Sequence, residues 1–375
     1  MWYFTYAEYP NGVYQGQVTD FCKSFSAETG KKVRLVALLS LRHYWSGRKL
    51  IKELYPRSFV IPMVPTKRLW ILNLLILIPL SILSLRSTVM CRGVFATNLA
   101  IMIRRLGLFR KVIYDGRGAI SAELQEYNVT PDQWIIRRMP NWESFAVRQS
   151  DFRNAVSSKL VDYWKKQFQY DSQTHVVIPC TVNSIFEQTA GNNSQNAKKL
   201  DGALRLVYSG SVAGWQSIDQ VCAFAESALE KYPDSTMLFL CGEHPDIERL
   251  EKQFRSRVSH EFVDPSEIPA RLQECNLGIM IREQSVTNRV ASPTKFAEYL
   301  ACGLKVVITE ELGDQSAFVK NHRCGVVHSI SDSVLDSLPN VLTNDVNPAS
   351  LCLEYFGKES EGVKSAFHRL SEQLA

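Results

Sequence analysis

Leu204–Glu243, LRLVYSGSVAGWQSIDQVCAFAESALEKYPDSTMLFLCGE, reads as strand, helix and strand in succession. The runs LRLVYSGS and TMLFLCGE are apolar without alternation, as strands covered on both faces require. Between them, SIDQVCAFAESALEKY spaces its apolar residues for one face of a helix. The rhythm continues through SHEFVD, LGIMIR, LKVVIT and GVVHSI, six strand-forming runs between Leu204 and Asn340. It recurs less regularly upstream, in WYFTYAE, KKVRLVALLS, SFVIPMV, STVMCRG, KVIYDGRG, FRNAVS and THVVIP. The expected fold class is α/β, with two doubly wound Rossmann-like domains facing a central cleft, because open α/β sheets bind ligands at the carboxyl ends of their strands.

The expected boundaries are 1–182 for the first domain, 183–203 for a linker and 204–355 for the second domain. A helix over 356–375 is expected to pack back on the first domain or on the second. The linker reading rests on the polar, short-chained run NSIFEQTAGNNSQNAKKLDG from Asn183 to Gly202.

The chain has 375 residues, a formal net charge of +5 and 45% hydrophobic residues, which excludes a disordered chain. Its basic residues are dispersed, so a nucleic-acid partner is not expected. A phosphate-bearing small molecule or an anionic membrane surface suits the mild excess better. Nine cysteines stand singly and form no CxxC pair, which reads as reduced thiols in a cytoplasm. The histidines form no HxxxH or Cys/His cluster, and no metal site is expected. MWYFTYAEYP carries Glu8 and lacks a basic start, so no cleavable signal peptide is expected.

LWILNLLILIPLSILSL, Leu69 to Leu85, is uncharged and flanked by Lys67, Arg68 and Arg86. Pro79 and its length argue against a comfortable span. A buried helix, a helix immersed in a membrane interface and a true span stand as readings in that order.

SPTKFAEYLACGLKVVIT, Ser292 to Thr309, carries the chemistry. Ser292 reads as an N-cap, Pro293 as the first helical residue and Gly303 as the stop. Thr294 and Lys295 fall in the first turn, where a cation opposes the helix dipole unless an anion binds there. With Arg289 upstream this makes a diphosphate site, and Glu298 is placed for ribose hydroxyls. A solvated helix with Lys295 and Glu298 at i and i+3 is the alternative. VIYDGRGAISAEL puts Asp115 and Arg117 on a turn after a buried strand, and Arg92 in VMCRGV ends another strand the same way. A structural Asp–Arg pair bracing the turn is the competing reading.

EYLACGLKVVI, with Glu298 ahead of the Gly303-led strand, resembles glycosyltransferase family 4, whose enzymes are retaining and have the GT-B fold. The resemblance implies a nucleoside-diphosphate sugar as co-substrate, no other cofactor and no metal. It assigns the ribose to Glu298 and the diphosphate to Arg289 and Lys295, with Ser292, Pro293 and Thr294 as further donor-binding residues. YSGSVAGWQ is similar to the family's first donor-domain strand and loop, with Gly210 and Ser211 approaching the phosphates. Gly242, Glu243, Phe262 and Val263 stand where the family binds the base. EYPNGVYQGQ is similar to its opening loop, so Asn11 and Gly12 would lie under donor phosphate or acceptor, while Asp115, Arg117 and Arg92 would orient acceptor or sugar. Family members commonly carry a Glu eight residues before Glu298, where this chain has Val290.

The expected function is transfer of a sugar, with retention, to a hydroxyl of a glycan or lipid-linked glycan. The expected setting is synthesis of bacterial surface polysaccharide such as lipopolysaccharide or capsule, in the cytoplasm or at the inner face of the plasma membrane. Rival expectations are a nucleotide-sugar epimerase or hydrolase on the same scaffold, or a nonenzymatic partner subunit. GxGxxG, GxSxG, P-loop and HExxH patterns are absent, which disfavours dinucleotide enzymes, hydrolases and kinases.

Overall fold

The computed structural model describes residues 1–65, 67–195, 203–329 and 334–374. They form two compact units, Met1–Pro179 with Glu361–Ala375, and Cys180–Ser360.

The first unit holds seven parallel strands: β1 (Trp2–Tyr6), β2 (Arg34–Leu39), β3 (Phe59–Pro62), β4 (Ser87–Arg92), β5 (Phe109–Gly116), β6 (Phe152–Ala155) and β7 (His175–Val177). Their order across the sheet is β3-β2-β1-β4-β5-β6-β7, so the winding reverses between β1 and β4. Both faces are covered. Tyr3 packs into one core with Phe21, Phe25 and Phe367, whereas its neighbours Trp2 and Phe4 pack into another with Trp70 and Leu99. That period-two division of β1 is why its sequence shows no polar alternation.

The second unit holds β8 (Arg205–Ser209), β9 (Thr236–Leu240), β10 (Val258–Glu261), β11 (Leu277–Met280), β12 (Lys305–Thr309) and β13 (Gly325–His328). The order is β10-β9-β8-β11-β12-β13, again fully parallel, with the reversal between β8 and β11. Leu206 and Tyr208 of β8 enter one core and Val207 the other. Gly278 in β11 lets a helix lie close, since a Cβ there would stand 2.3 Å from the Tyr299 ring. The α/β, doubly wound fold class expected from the sequence is the one observed.

The expected linker is instead largely ordered. Ser184–Gln195 is a helix whose Phe186 and Ala190 are buried with Leu300 and Cys352, and residues 196–202 lie outside the described residues. Two buried apolar positions a turn apart were enough to dock a segment whose composition reads as a linker. The C-terminal helix Glu361–Glu372 packs Phe367 against Phe21 and Phe25 of the first unit.

In Leu69–Leu85, Lys67–Asn73 is a 3₁₀ segment and Leu74–Ile82 an α-helix with Pro79 inside. Trp70, Leu77 and Ser81 are buried, whereas Leu69, Ile71, Leu72, Leu75, Ile82, Leu83 and Leu85 are exposed. Among the described residues no helix is long and apolar enough to cross a membrane. The nine cysteines are free and buried, as a set of small apolar core residues would be.

Candidate active site

The carboxyl ends of β8 and β11 flank the reversal of the second sheet, the place where an open α/β sheet leaves room for a ligand. Gly210 follows β8 with φ +150°, which disfavours any residue with a Cβ. A Cβ there would also stand 2.3 Å from Lys295 Nζ. Lys295 is therefore brought against the β8 loop by the missing side chain.

Lys295 is buried, 7% exposed. Its ammonium lies 4.3 Å from the Tyr208 ring centre and donates to Gln216 Oε1 at 2.9 Å. Arg282, 6% exposed, donates to the same oxygen at 2.9 Å and to Asn288 Oδ1 at 3.3 Å. Two buried cations thus converge on one neutral amide oxygen. Burial first, and the Arg282 charge second, hold the Lys295 ammonium well below its usual value, while Glu298 pulls the other way. A bound anion would relieve both penalties at once.

The helix Thr294–Ala301 starts one residue later than the capping pattern predicts. Pro293 is its N-cap residue, and among the described residues no side chain caps its first amides. Ser292 is occupied elsewhere: its hydroxyl accepts from the Cys180 amide at 3.0 Å and from Gln315 Nε2 at 3.1 Å. The cap reading of Ser292 is corrected accordingly. An extended proline ahead of the helix sends the serine side chain away from the amides it would have capped. Thr294 is half-buried at this end. Gly303, at φ +81°, ends the turn before β12 as expected. Glu298 is half-buried, and burial pushes its carboxyl up to about 7 against the pull of Lys295.

Arg289 is exposed. It ends the short helix Val286–Arg289 and pairs with Glu311 at 3.0 Å on the surface. Val290 beside it is buried, 2% exposed, so a Glu at that position would point into the core. Ser211 accepts from the Tyr208 hydroxyl through its carbonyl, at 2.6 Å. Gly242 and Glu243 follow β9, where His260 Nε2 meets the Cys241 carbonyl at 3.0 Å. Phe262 is 86% exposed after β10, and Val263 packs against the core.

The reversal of the first sheet carries a second charged group. Asp115, 1% exposed, accepts from the Tyr3 hydroxyl at 2.5 Å and from Asn154 Nδ2 at 2.8 Å. Arg92 and Arg117 stand 3.6 and 3.5 Å from its two oxygens. Arg92 also pairs with Glu8 at 2.7 Å, and Arg117 donates to Gln17 at 2.6 Å. Burial works against the Arg92 charge, but Glu8, Tyr3 and Asp115 outweigh it and push the group up. Asn11 and Gly12 do not form the close glycine turn that the sequence suggests. Asn11 caps the first helix by accepting from the Tyr14 amide at 2.9 Å, and Gly12 is helical. Ala7, at φ +58°, takes the left-handed turn instead.

Sequence reasoning missed Arg282 and Gln216. Arg282 follows the apolar run LGIMI, and a cation at the end of a buried strand is the signal that singled out Arg92. Gln216 carried none, since its role depends on two partners distant in sequence. Among the described residues no group of His, Cys, Asp and Glu is arranged to hold a metal.

Two parallel, doubly wound domains in one chain place this protein in the GT-B fold class. No protein-family model matches the sequence, and neither does any curated protein. Solved structures do match it in fold. The Anabaena protein HepE, in complex with UDP-glucose, aligns with a TM-score of 0.64 and 14% identity over 100% of this chain and 99% of its own. Sucrose-phosphate synthase from Thermosynechococcus elongatus aligns with a TM-score of 0.67 and 13% identity, covering 100% and 99%. The MnaA–UDP complex from S. aureus gives 0.57 and 10%, covering 100% and 97%.

Proposed function

We propose that the chain is a retaining glycosyltransferase that takes a nucleoside-diphosphate sugar at the carboxyl edge of the second sheet. The observation that carries the reading is the convergence of Arg282 and Lys295 on Gln216 beside Gly210 and the uncapped start of the helix Thr294–Ala301. A diphosphate seated there would meet two cations and free backbone amides, with Glu298 one turn further in for ribose hydroxyls. The UDP-glucose bound by HepE and the UDP bound by MnaA support uracil as the donor base to test first.

In glycosyl transfer the leaving diphosphate gains charge as the sugar becomes cationic. Arg282, Lys295 and the helix amides would stabilise that charge without a metal. Arg289 is left out of this role, being paired with Glu311. Asp115, Arg117 and Arg92, fixed by their mutual contacts, would orient acceptor or transferred sugar. The exposed side chains between Leu69 and Leu85 support a lipid-linked glycan acceptor at a membrane surface, as in surface-polysaccharide synthesis. Buried Val290 favours one rival, a partner subunit that binds donor without turnover.

A thermal-shift panel of UDP-, GDP- and other nucleotide sugars tests the reading. One donor class is expected to stabilise the wild type, with smaller shifts in Lys295→Ala, Arg282→Ala and Glu298→Ala. No stabilisation by any donor would overturn it. Donor consumption with transfer to an acceptor separates the transferase from the partner subunit, and release of free or epimerised sugar would point to a hydrolase or epimerase.

A further inference from the structure

At the opposite, amino-terminal edge of the first sheet, where β2 and β3 begin, a cavity of about 720 Å³ is lined by Lys32, Arg34, Lys52, Arg57, Ser58 and Phe59 among others. Four of the nine lining residues are cationic and none is acidic. The charges are held in different ways. Lys52 is half-buried, its ammonium donating to the carbonyls of Pro56, at 3.2 Å, and of Ser58. Arg34 lies 5.7 Å from the Trp2 ring centre, and Trp2 in turn stacks on Phe59 at 5.7 Å. Lys32 and Arg57 extend from exposed positions.

Ser58 gives the independent sign of a ligand. It is 2% exposed, and its hydroxyl has no hydrogen-bond partner among the described residues. A buried hydroxyl left unpaired is costly, and a bound ligand oxygen is one group that would satisfy it.

We propose that this cavity is a second ligand site, taking a phosphate group whose oxygens accept from Ser58 and the surrounding cations while its attached moiety lies against Phe59. The volume exceeds what phosphate alone fills and is ordinary for a small-molecule cleft. The phosphate belongs to a soluble metabolite or to a lipid headgroup. The site stands on the opposite edge of the sheet from Asp115 and in a different unit from Lys295, and it shares no residue with the donor site.

Calorimetric titration of the full chain with inorganic pyrophosphate tests it. The Lys295→Ala variant weakens the donor-site contribution, and the part of the remaining binding that depends on Arg34, Arg57 and Ser58 belongs to the cavity. In that background Arg34→Ala with Arg57→Ala should weaken pyrophosphate about tenfold per guanidinium, and Ser58→Ala should weaken it less. Both arginines are exposed, and the same pair in an otherwise wild-type chain should keep its thermal response to nucleotide sugar. Phosphatidylglycerol vesicles that capture the chain, release it to pyrophosphate and fail to capture the double variant would assign the phosphate to a lipid. Pyrophosphate binding without vesicle capture would assign it to a soluble ligand. Absence of pyrophosphate binding to Lys295→Ala, or binding that ignores Arg34, Arg57 and Ser58, would overturn the site. Failure of the donor reading would show instead as wild-type and Lys295→Ala chains that titrate alike.

Discussion

The two sheets reverse their winding in the same way, between β1 and β4 and between β8 and β11, yet the charges at the two reversals are arranged on opposite principles. At the first, Arg92 and Arg117 face Glu8 and Asp115, and a tyrosine and an asparagine donate to the same aspartate. Opposite charges answer one another there. At the second, Arg282 and Lys295 meet on a neutral amide, and the ammonium is penalised by burial and by the guanidinium. Topology supplies the crevice in both cases; what differs is that carboxylates face the cations at the first, whereas two cations share one amide oxygen at the second. On the proposed reading the first arrangement orients a group and the second receives an anion.

Removing Asp115 is the hardest blow to this contrast. Asp115→Ala would leave buried Arg92 and half-buried Arg117 with one counter-charge fewer, and breaking a buried pair from one side costs about 3–5 kcal/mol. Urea unfolding should show a loss of that order. Lys295→Ala should do the reverse: little stability is lost, because the ammonium is already disfavoured, while affinity for nucleoside diphosphate falls about 10–100-fold. Comparable stability losses in both variants would erase the distinction between the two reversals.

How much of this was legible follows the range of the interactions. Strand runs such as LRLVY and KVVIT are local and unambiguous, because burial on both faces leaves no room for a polar alternation. Lys295 and Glu298 are legible for the same reason, as residues of one short helix that Gly303 follows. Arg289 and Ser292 were drawn into the site by proximity in sequence, but a glutamate 22 residues on, Glu311, takes the arginine. Ser292 is turned toward Cys180, 112 residues away. Gln216 became visible only when β8 and β11 were neighbours, since its amide binds Arg282 at a separation of 66 residues and Lys295 at 79. Composition misled at Ser184–Gln195 because docking a helix needs only a narrow apolar stripe.

Gly210→Ala sharpens the comparison with a smaller effect. A methyl group 2.3 Å from Lys295 Nζ must move the ammonium off Gln216, and the φ of +150° adds strain. Diphosphate affinity should drop about tenfold, with no change at the first reversal. The amide signals of residues around Asp115 in an NMR spectrum provide the check. Perturbation there as well would mean that the two reversals are not independent.

The smallest effect concerns two carboxyls with the same raised value. Glu143, fully buried in the first unit, is pushed up to about 7 by burial although Ser121 and Ile120 donate to it. Glu298 reaches about 7 with no hydrogen bond from the described residues, so its environment is open to a ligand. A carboxyl raised from 4.5 to about 7 favours its protonated form in the folded chain. Its contribution to stability is therefore full below pH 4.5 and is lost as the pH rises through about 7. Glu298→Gln, neutral throughout, should lack that slope, and denaturation midpoints of variant and wild type should diverge across this window. Bound nucleotide sugar should lower the Glu298 value, because ribose hydroxyls donate to the ionised form, and should leave Glu143 where it is. A donor that moved both carboxyls, or neither, would remove Glu298 from the ribose and leave the anion site to Arg282, Lys295 and the helix amides alone.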